Sequence, residues 1–374
     1  MMSIIFFFMC LVASITGHRG LEIEKELKVI NKTPIKTIHT KFGYIIDCVD
    51  INKQPAFDHP LLMNHKLQKK PSFLNSFKKN NGKNSSTTTT LGFHIERCPV
   101  GTIPIRRTTS DDLFRGKLYF DNILSVETPG KHVAEVTLTP STYYGVGGTS
   151  SVYNVKVEKG QSSAAVIWVK SGSSDSTNYI GIGWHVAPEL YNDDGTHLYV
   201  VWTTDNFKTG CYNLQCPGFV QTNRDAHLGG RFDKTSTQNG EMVEIEISIY
   251  QDPNTKNWWI YNSQKLLGYF PSSIFSNLNS ASEVGWTGQT RAPVNAPSPP
   301  MGSGSYPDRN ILHASYFTHI SYQDDSRTNR EPNKESTRTF SDAPNCYRAE
   351  YYGDEGSEFG YTLQFGGPGG NCGN

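Results

Sequence analysis

Residues 243–250 alternate strictly: Val243, Ile245, Ile247 and Ile249 are apolar, and Glu244, Glu246 and Ser248 are polar. Successive side chains of a strand point to opposite faces, so a period of two specifies a half-buried β-strand. It excludes a helix, whose apolar face returns every three to four residues. Residues 179–186 repeat the pattern, with Ile180, Ile182, Trp184 and Val186 on one face and Tyr179, Gly181, Gly183 and His185 on the other. Residues 164–169, 198–203 and 311–322 read as further strands, and Trp184 and Trp202 as core. Beyond residue 130 only 272–278 carries a hint of helical period. Apolar content is 36% and charged content 19%, with many Gly, Tyr, Ser and Thr, which suits short strands joined by turns. The expectation is an all-β fold, an antiparallel β-sandwich or a barrel.

The N-terminal part differs. Residues 21–30 are charged and predict a short helix, and 43–51 a strand. The prolines of KQPAFDHPLL (53–62) exclude a central strand or helix. Residues 78–90 form a polar connector without periodicity, and 291–310 a Pro-, Gly- and Ser-rich surface loop. The apolar run from Ile4 to Val12 is too short to span a bilayer and matches the core of a secretory signal over residues 1–17, although no Lys or Arg precedes it. The competing reading is a buried N-terminal strand. No other run is long and apolar enough for a membrane helix, and the formal net charge of zero gives no basic excess for nucleic acid.

Without Cys10, inside that signal, six cysteines remain: Cys48, Cys98, Cys211, Cys216, Cys346 and Cys372. An even number in an exported chain predicts three disulfides. Sequence does not fix their pairing; pairing by locality gives Cys48–Cys98, Cys211–Cys216 and Cys346–Cys372. The spacings lack the Cys-x-x-Cys and His-x-x-x-His patterns of zinc sites, so no metal or cofactor is expected. Asn31 and Asn84 begin sequons that would carry glycans in an exported chain.

Several motifs recur in one order: IDCVDINKQPAFDHPLL (46–62), CPVGTIPIRRTTSDDLFR (98–115), GWHVAPELYNDD (183–194), VWTTDNFKTGCYNLQCPGFVQTN (201–223), QDPNTKNWWIY (251–261), LLGYFPSSIF (266–275), MGSG (301–304), ASYF (314–317) and FGGPGGNC (365–372). In these the chain resembles the neprosin-type glutamic peptidase family of secreted plant proteins, over nearly all of its length after the signal. The resemblance implies a propeptide domain of smaller α+β type (18–127) before a peptidase β-sandwich of two curved antiparallel sheets (128–374). It also implies the pairings Cys211–Cys216 and Cys346–Cys372, a location in the apoplast or cell wall, and cleavage of peptides after proline at acid pH by two glutamates. Close carboxylates cannot both ionise cheaply, so one keeps a proton while the other activates water.

The two family glutamate positions, three residues before Trp184 and three after Trp286, hold Gly181 and Gln289 here. Glycine offers no group, and an amide cannot trade protons near neutrality. General acid–base catalysis contributes on the order of 100- to 10,000-fold per group, so the expected protein is a pseudopeptidase that keeps a groove for proline-containing peptide or protein. Candidate groove residues are His185, which shares the Gly181 face, Glu246, and whichever of Trp258 and Trp259 faces outward. Two alternatives stand beside it: an active acid endopeptidase using another carboxylate such as Glu246, and a cell-wall carbohydrate-binding sandwich using exposed aromatics. Glu283 shares the facing of Gln289 but lies roughly 20 Å along the strand. Glu189, Asp193 and Asp194 read as loop acids, and no Gly-x-Ser-x-Gly marks a serine nucleophile.

Overall fold

The computed structural model describes residues 22–72, 96–123, 129–173, 175–262 and 265–373. The signal segment, the connector 78–90 and Asn84 lie outside them.

An N-terminal unit comes first. Helix α1 (22–30) leads to a three-stranded antiparallel sheet of β1 (Lys36–His39), β2 (Ile45–Asp50) and β3 (Thr102–Arg106). Between β2 and β3 the prolines act as their fixed φ requires: Pro55 and Pro60 each open a short 3-10 turn, where no backbone N–H is missed. Helix α2 (Ser110–Ile123) follows β3. The Asn31 side chain joins the two helical segments, donating from Nδ2 to Thr108 O at 2.7 Å and accepting from Thr108 N at 2.9 Å.

Two antiparallel sheets form the rest. The strands are β4 (Lys131–Leu138), β5 (Gly145–Ser151), β6 (Ser162–Ser171), β7 (Asn178–Val186), β8 (Thr196–Thr204), β9 (Thr209–Tyr212), β10 (Val220–Gln221) and β11 (Glu244–Gln251). They continue with β12 (Trp258–Asn262), β13 (Lys265–Phe270), β14 (Glu283–Arg291), β15 (Ser315–Gln323), β16 (Asn329–Arg330), β17 (Thr337–Ser341), β18 (Arg348–Asp354) and β19 (Tyr361–Gly366). Sheet I has the order β17-β4-β14-β6-β7-β8-β9; sheet II has the order β10-β13-β12-β11-β5-β15-β19-β18, with β16 beside β15. The fold is an antiparallel β-sandwich with a smaller α+β unit at its N-terminus.

The alternating residues interleave between the sheets. Ile180, Ile182 and Trp184 of β7, Val200 and Trp202 of β8 and Trp286 of β14 share one buried cluster with Ile245, Ile247 and Ile249 of β11 and Trp258 of β12. Each such side chain contributes roughly 1.5–3 kcal/mol through burial. The indole N–H groups of Trp184, Trp258 and Trp286 donate to backbone oxygens of Ser151, Leu278 and Gly147 at 2.7, 2.9 and 3.1 Å, so the rings add no unsatisfied donor.

The three disulfides pair as locality predicts: Cys48–Cys98, Cys211–Cys216 and Cys346–Cys372. The strand expected from residue 311 starts at Ser315, and residues 272–278 give only a 3-10 turn, Ser272–Ile274. Among the described residues no helix is long and apolar enough to cross a membrane.

Candidate functional site on the outer face of sheet I

The register of sheet I sets three rows of outward-facing residues. One runs Thr137–Gly285–Trp168–Gly181–Val201, the next Glu135–Thr287–Val166–Gly183–Tyr199, and the third Val133–Gln289–Ala164–His185–His197. Gly181 and Gln289 therefore share one face. They are two strands and four residues apart, roughly 16 Å at flat-sheet spacing. The close contact expected of a glutamate pair is not built into the register; only bowing of the sheet or a bridging ligand would join the two positions.

Rings floor the first row. The Tyr179 ring lies over Gly181, where a β-carbon would fall 2.8 Å from its Oη and 2.8 Å from a Val166 methyl. The Trp168 ring packs beside Tyr179, 5.9 Å between centroids, and covers Gly285, whose β-carbon would fall 2.6 Å from it. Gly183 faces backbone instead: a β-carbon there would fall 1.7 Å from Ala165 O, so this position admits no side chain.

A carboxylate that the sequence reading passed over lies in the second row. Thr287 Oγ1 donates to Glu135 Oε2 at 2.8 Å and accepts from Trp168 Nε1 at 2.7 Å. Burial pushes the Glu135 carboxyl above the ordinary glutamate range, against the lowering pull of the Thr287 hydrogen bond and of Lys170 and Lys131. The alternation of β4 (Ala134, Val136 and Leu138 inward, Glu135 outward) was the available signal. Glu283 holds Lys170 on the neighbouring strand at 3.0 Å and is spoken for.

The third row lies under helix α2. Leu113, Gly116 and Tyr119, spaced three apart, are its buried face. At Gly116 a β-carbon would fall 2.1 Å from Tyr212 Oη, so a glycine is needed for this approach. The Tyr119 phenol reaches His185 Nε2 at 2.5 Å and Ser162 Oγ at 3.1 Å. His185 is on the expected face but buried rather than solvated; burial lowers its pKa to about 3, with His197 adding to the shift, so the ring is neutral.

Residues 159–368 match the Neprosin family model, and residues 37–129 match the Neprosin activation peptide model. The chain belongs to the neprosin family. Solved structures share the sandwich only distantly. Scytalido-glutamic peptidase with a transition state analog inhibitor is 10% identical, with a TM-score of 0.35, over 63% of this chain and 97% of that one. CG-16, a homodimeric agglutinin from chicken liver, is 8% identical, with a TM-score of 0.24, over 43% and 96%.

The neprosin-type sandwich is gripped on its other side as well. Residues of the activation-peptide region cover the outer face of sheet II: Ala56, Phe57 and Leu67 pack with Tyr250, Trp259, Tyr261 and Tyr269. The Gln54 carboxamide pairs with an edge strand, accepting from Gln221 N at 2.7 Å and donating to Gln221 O at 3.1 Å. Asp252 accepts from Gln68 Nε2, Ser72 N and Ser72 Oγ, each at 2.7 Å.

This geometry corrects the remaining groove residues. Glu246 does face outward, but on sheet II, across the core from Gly181 and Gln289; burial raises its pKa there. Trp258 is core. Trp259 does point outward, yet residues 56–67 bury it. Neither indole is an exposed platform for stacking on a proline or a sugar ring. Among the described residues no cluster of three His, Cys, Asp or Glu side chains is arranged to hold a metal.

Proposed function

We propose that this chain is a secreted pseudopeptidase of the neprosin family, which holds a proline-containing polypeptide on the outer face of sheet I without cutting it. The observation that carries this reading is Gly181 under the Tyr179 ring: the family position has no carboxylate, its place is taken by the ends of the Tyr179 and Val166 side chains, and Gln289 in the third row cannot trade a proton. The three disulfides fit export to an oxidising compartment.

Glu135 favours a second reading, an acid endopeptidase with a displaced carboxylate. It shares the face of Gln289, one strand and two residues away, and its burial keeps a proton to higher pH than usual. The deciding experiment is incubation of purified full-length protein from pH 3 to 7 with a proline-containing peptide. We expect no cleavage of peptide and no shortening of the chain. Turnover that vanishes in Glu135→Gln would establish the second reading, and turnover that survives it would sink both.

A further inference from the structure

The Tyr119 phenol fills a slot whose walls, among the described residues, belong to the sandwich. His185 and Tyr212 flank its ring, with centroids 5.4 and 6.4 Å away, and the Arg291 guanidinium lies 5.7 Å from the ring centre. The Tyr199 ring, on the neighbouring strand, lies tilted against His185 with centroids 4.7 Å apart. Two polar groups meet the phenol oxygen, Ser162 Oγ and His185 Nε2. One hydroxyl proton serves only one of them. The phenol donates to Ser162 Oγ, so the neutral His185 ring donates from Nε2–H to the phenol oxygen. A slot made only to seat a helix needs an apolar lining; this one buries a hydroxyl and an imidazole, and a single phenolic oxygen satisfies both. His185 Nδ1 and Arg291 Nε and Nη1 are also buried, and have no hydrogen-bond partner among the described residues. A bound polypeptide, with N–H and carbonyl groups beside its tyrosine, offers a donor to His185 Nδ1 and acceptors to Arg291, which a helix, whose own backbone groups are engaged, does not.

We propose that this slot is a recognition site for a tyrosine side chain of a polypeptide ligand, and that Tyr119 occupies it as a built-in competitor in the full-length chain. The proposal rests on the reading of this face as peptide-binding and adds which residue of the ligand is selected. The lining is fixed by strand register, since Ser162 and His185 sit on adjacent strands of sheet I and Arg291 lies opposite Ser162. The slot therefore belongs to the sandwich and not to the helix that covers it.

The test uses the full chain carrying Tyr119→Ala, with p-cresol and toluene as probes of the emptied slot. We expect p-cresol to bind this variant and not the wild type, and toluene to bind at least about tenfold more weakly, because it leaves Ser162 and His185 unpaired. His185→Leu in the same background should bring the two probes together. Absence of p-cresol binding, or equal binding of both probes to Tyr119→Ala, overturns the proposal. Should that variant fail to fold, wild-type protein answers instead. N-acetyl-L-tyrosinamide should speed amide exchange across residues 110–123 by displacing Tyr119, and N-acetyl-L-phenylalaninamide should not; equal effects, or none, overturn it. None of these readouts involves turnover, so discovery of hydrolysis would defeat the lost-catalysis reading and leave the slot standing.

Discussion

Gly181 and Gly183 stand two apart on one strand, face the same side, and reject a side chain for different reasons. At Gly181 the obstacles are the ends of two side chains, Tyr179 and Val166; at Gly183 it is the Ala165 carbonyl. A ring can rotate away and a paired strand cannot. We predict that Gly181→Ala destabilises the protein by about 1–3 kcal/mol, the usual range for overpacking, and that Tyr179→Ala in the same chain recovers part of this loss. Gly183→Ala should be worse than either and resist rescue. Urea unfolding of the four variants checks the order; a Gly181→Ala loss that Tyr179→Ala leaves untouched would mean that Val166 or the strand itself is the obstacle. The same contact decides what restoring the family residues can do. Gly181→Glu with Gln289→Glu should yield no peptidase activity while Tyr179 keeps its place, and activity assayed with and without Tyr179→Ala tests that.

At the scale of elements, alternation made the sandwich legible, because one buried face imposes a period of two on each strand. It also gave the correct facing for Glu246 and His185, and required one of Trp258 and Trp259 to face outward, as Trp259 does. It carries no information on which of two sheets a strand joins, and for that reason Glu246 was assigned to the wrong side of the core. Cover is equally invisible to it: Trp259 is buried by residues 56–67, and His185 by α2, both distant in sequence. Helix α2 itself went unread because Gly116 and Tyr119 in its buried face break the apolar stripe that marks an amphipathic helix. Its contact with sheet I has a pH dependence of definite sign. His185 is held neutral down to about pH 3, whereas an unfolded histidine takes a proton near pH 6.5. Across that window the unfolded state binds more protons, so stability is lost as pH falls, by up to about 1.4 kcal/mol per pH unit. Glu135 and Glu246 act in the opposite sense: their raised values give stability that is present below the ordinary glutamate pKa and lost as pH rises through the folded one. His185→Gln should therefore flatten the fall in stability between pH 6.5 and 3 relative to wild type, measured by denaturant unfolding at each pH. A parallel pair of curves would show that His185 does not titrate on unfolding.

Across the whole molecule, the activation-peptide region works as a clamp with one arm on each sheet. The α2 arm buries Tyr119 on sheet I, and the arm of residues 54–72 buries Trp259 and ties Asp252 on sheet II. The arms meet in the sheet of β1, β2 and β3, where Cys48 in β2 is bonded to Cys98 just before β3. That disulfide closes a loop with a sequence separation of 50, and the loop contains the whole sheet II arm. On the chain-entropy account such a loop stabilises by about 4 kcal/mol. The sheet II arm is built of short 3-10 turns and joins neither sheet as a strand, so it lacks the ladder hydrogen bonds that hold the strands and opens before the core does. Removing the cross-link with Cys48→Ser and Cys98→Ser should raise amide exchange first in residues 54–72 while the strands of the sandwich stay protected. If the clamp is one cooperative unit, residues 110–123 on the opposite face should lose protection to the same degree, because β3 and the adjoining turn connect the arms directly. Exchange that rises over 54–72 alone would mean two independent arms, each held by its own sheet, and release of the Tyr119 slot would then require an event at α2 itself.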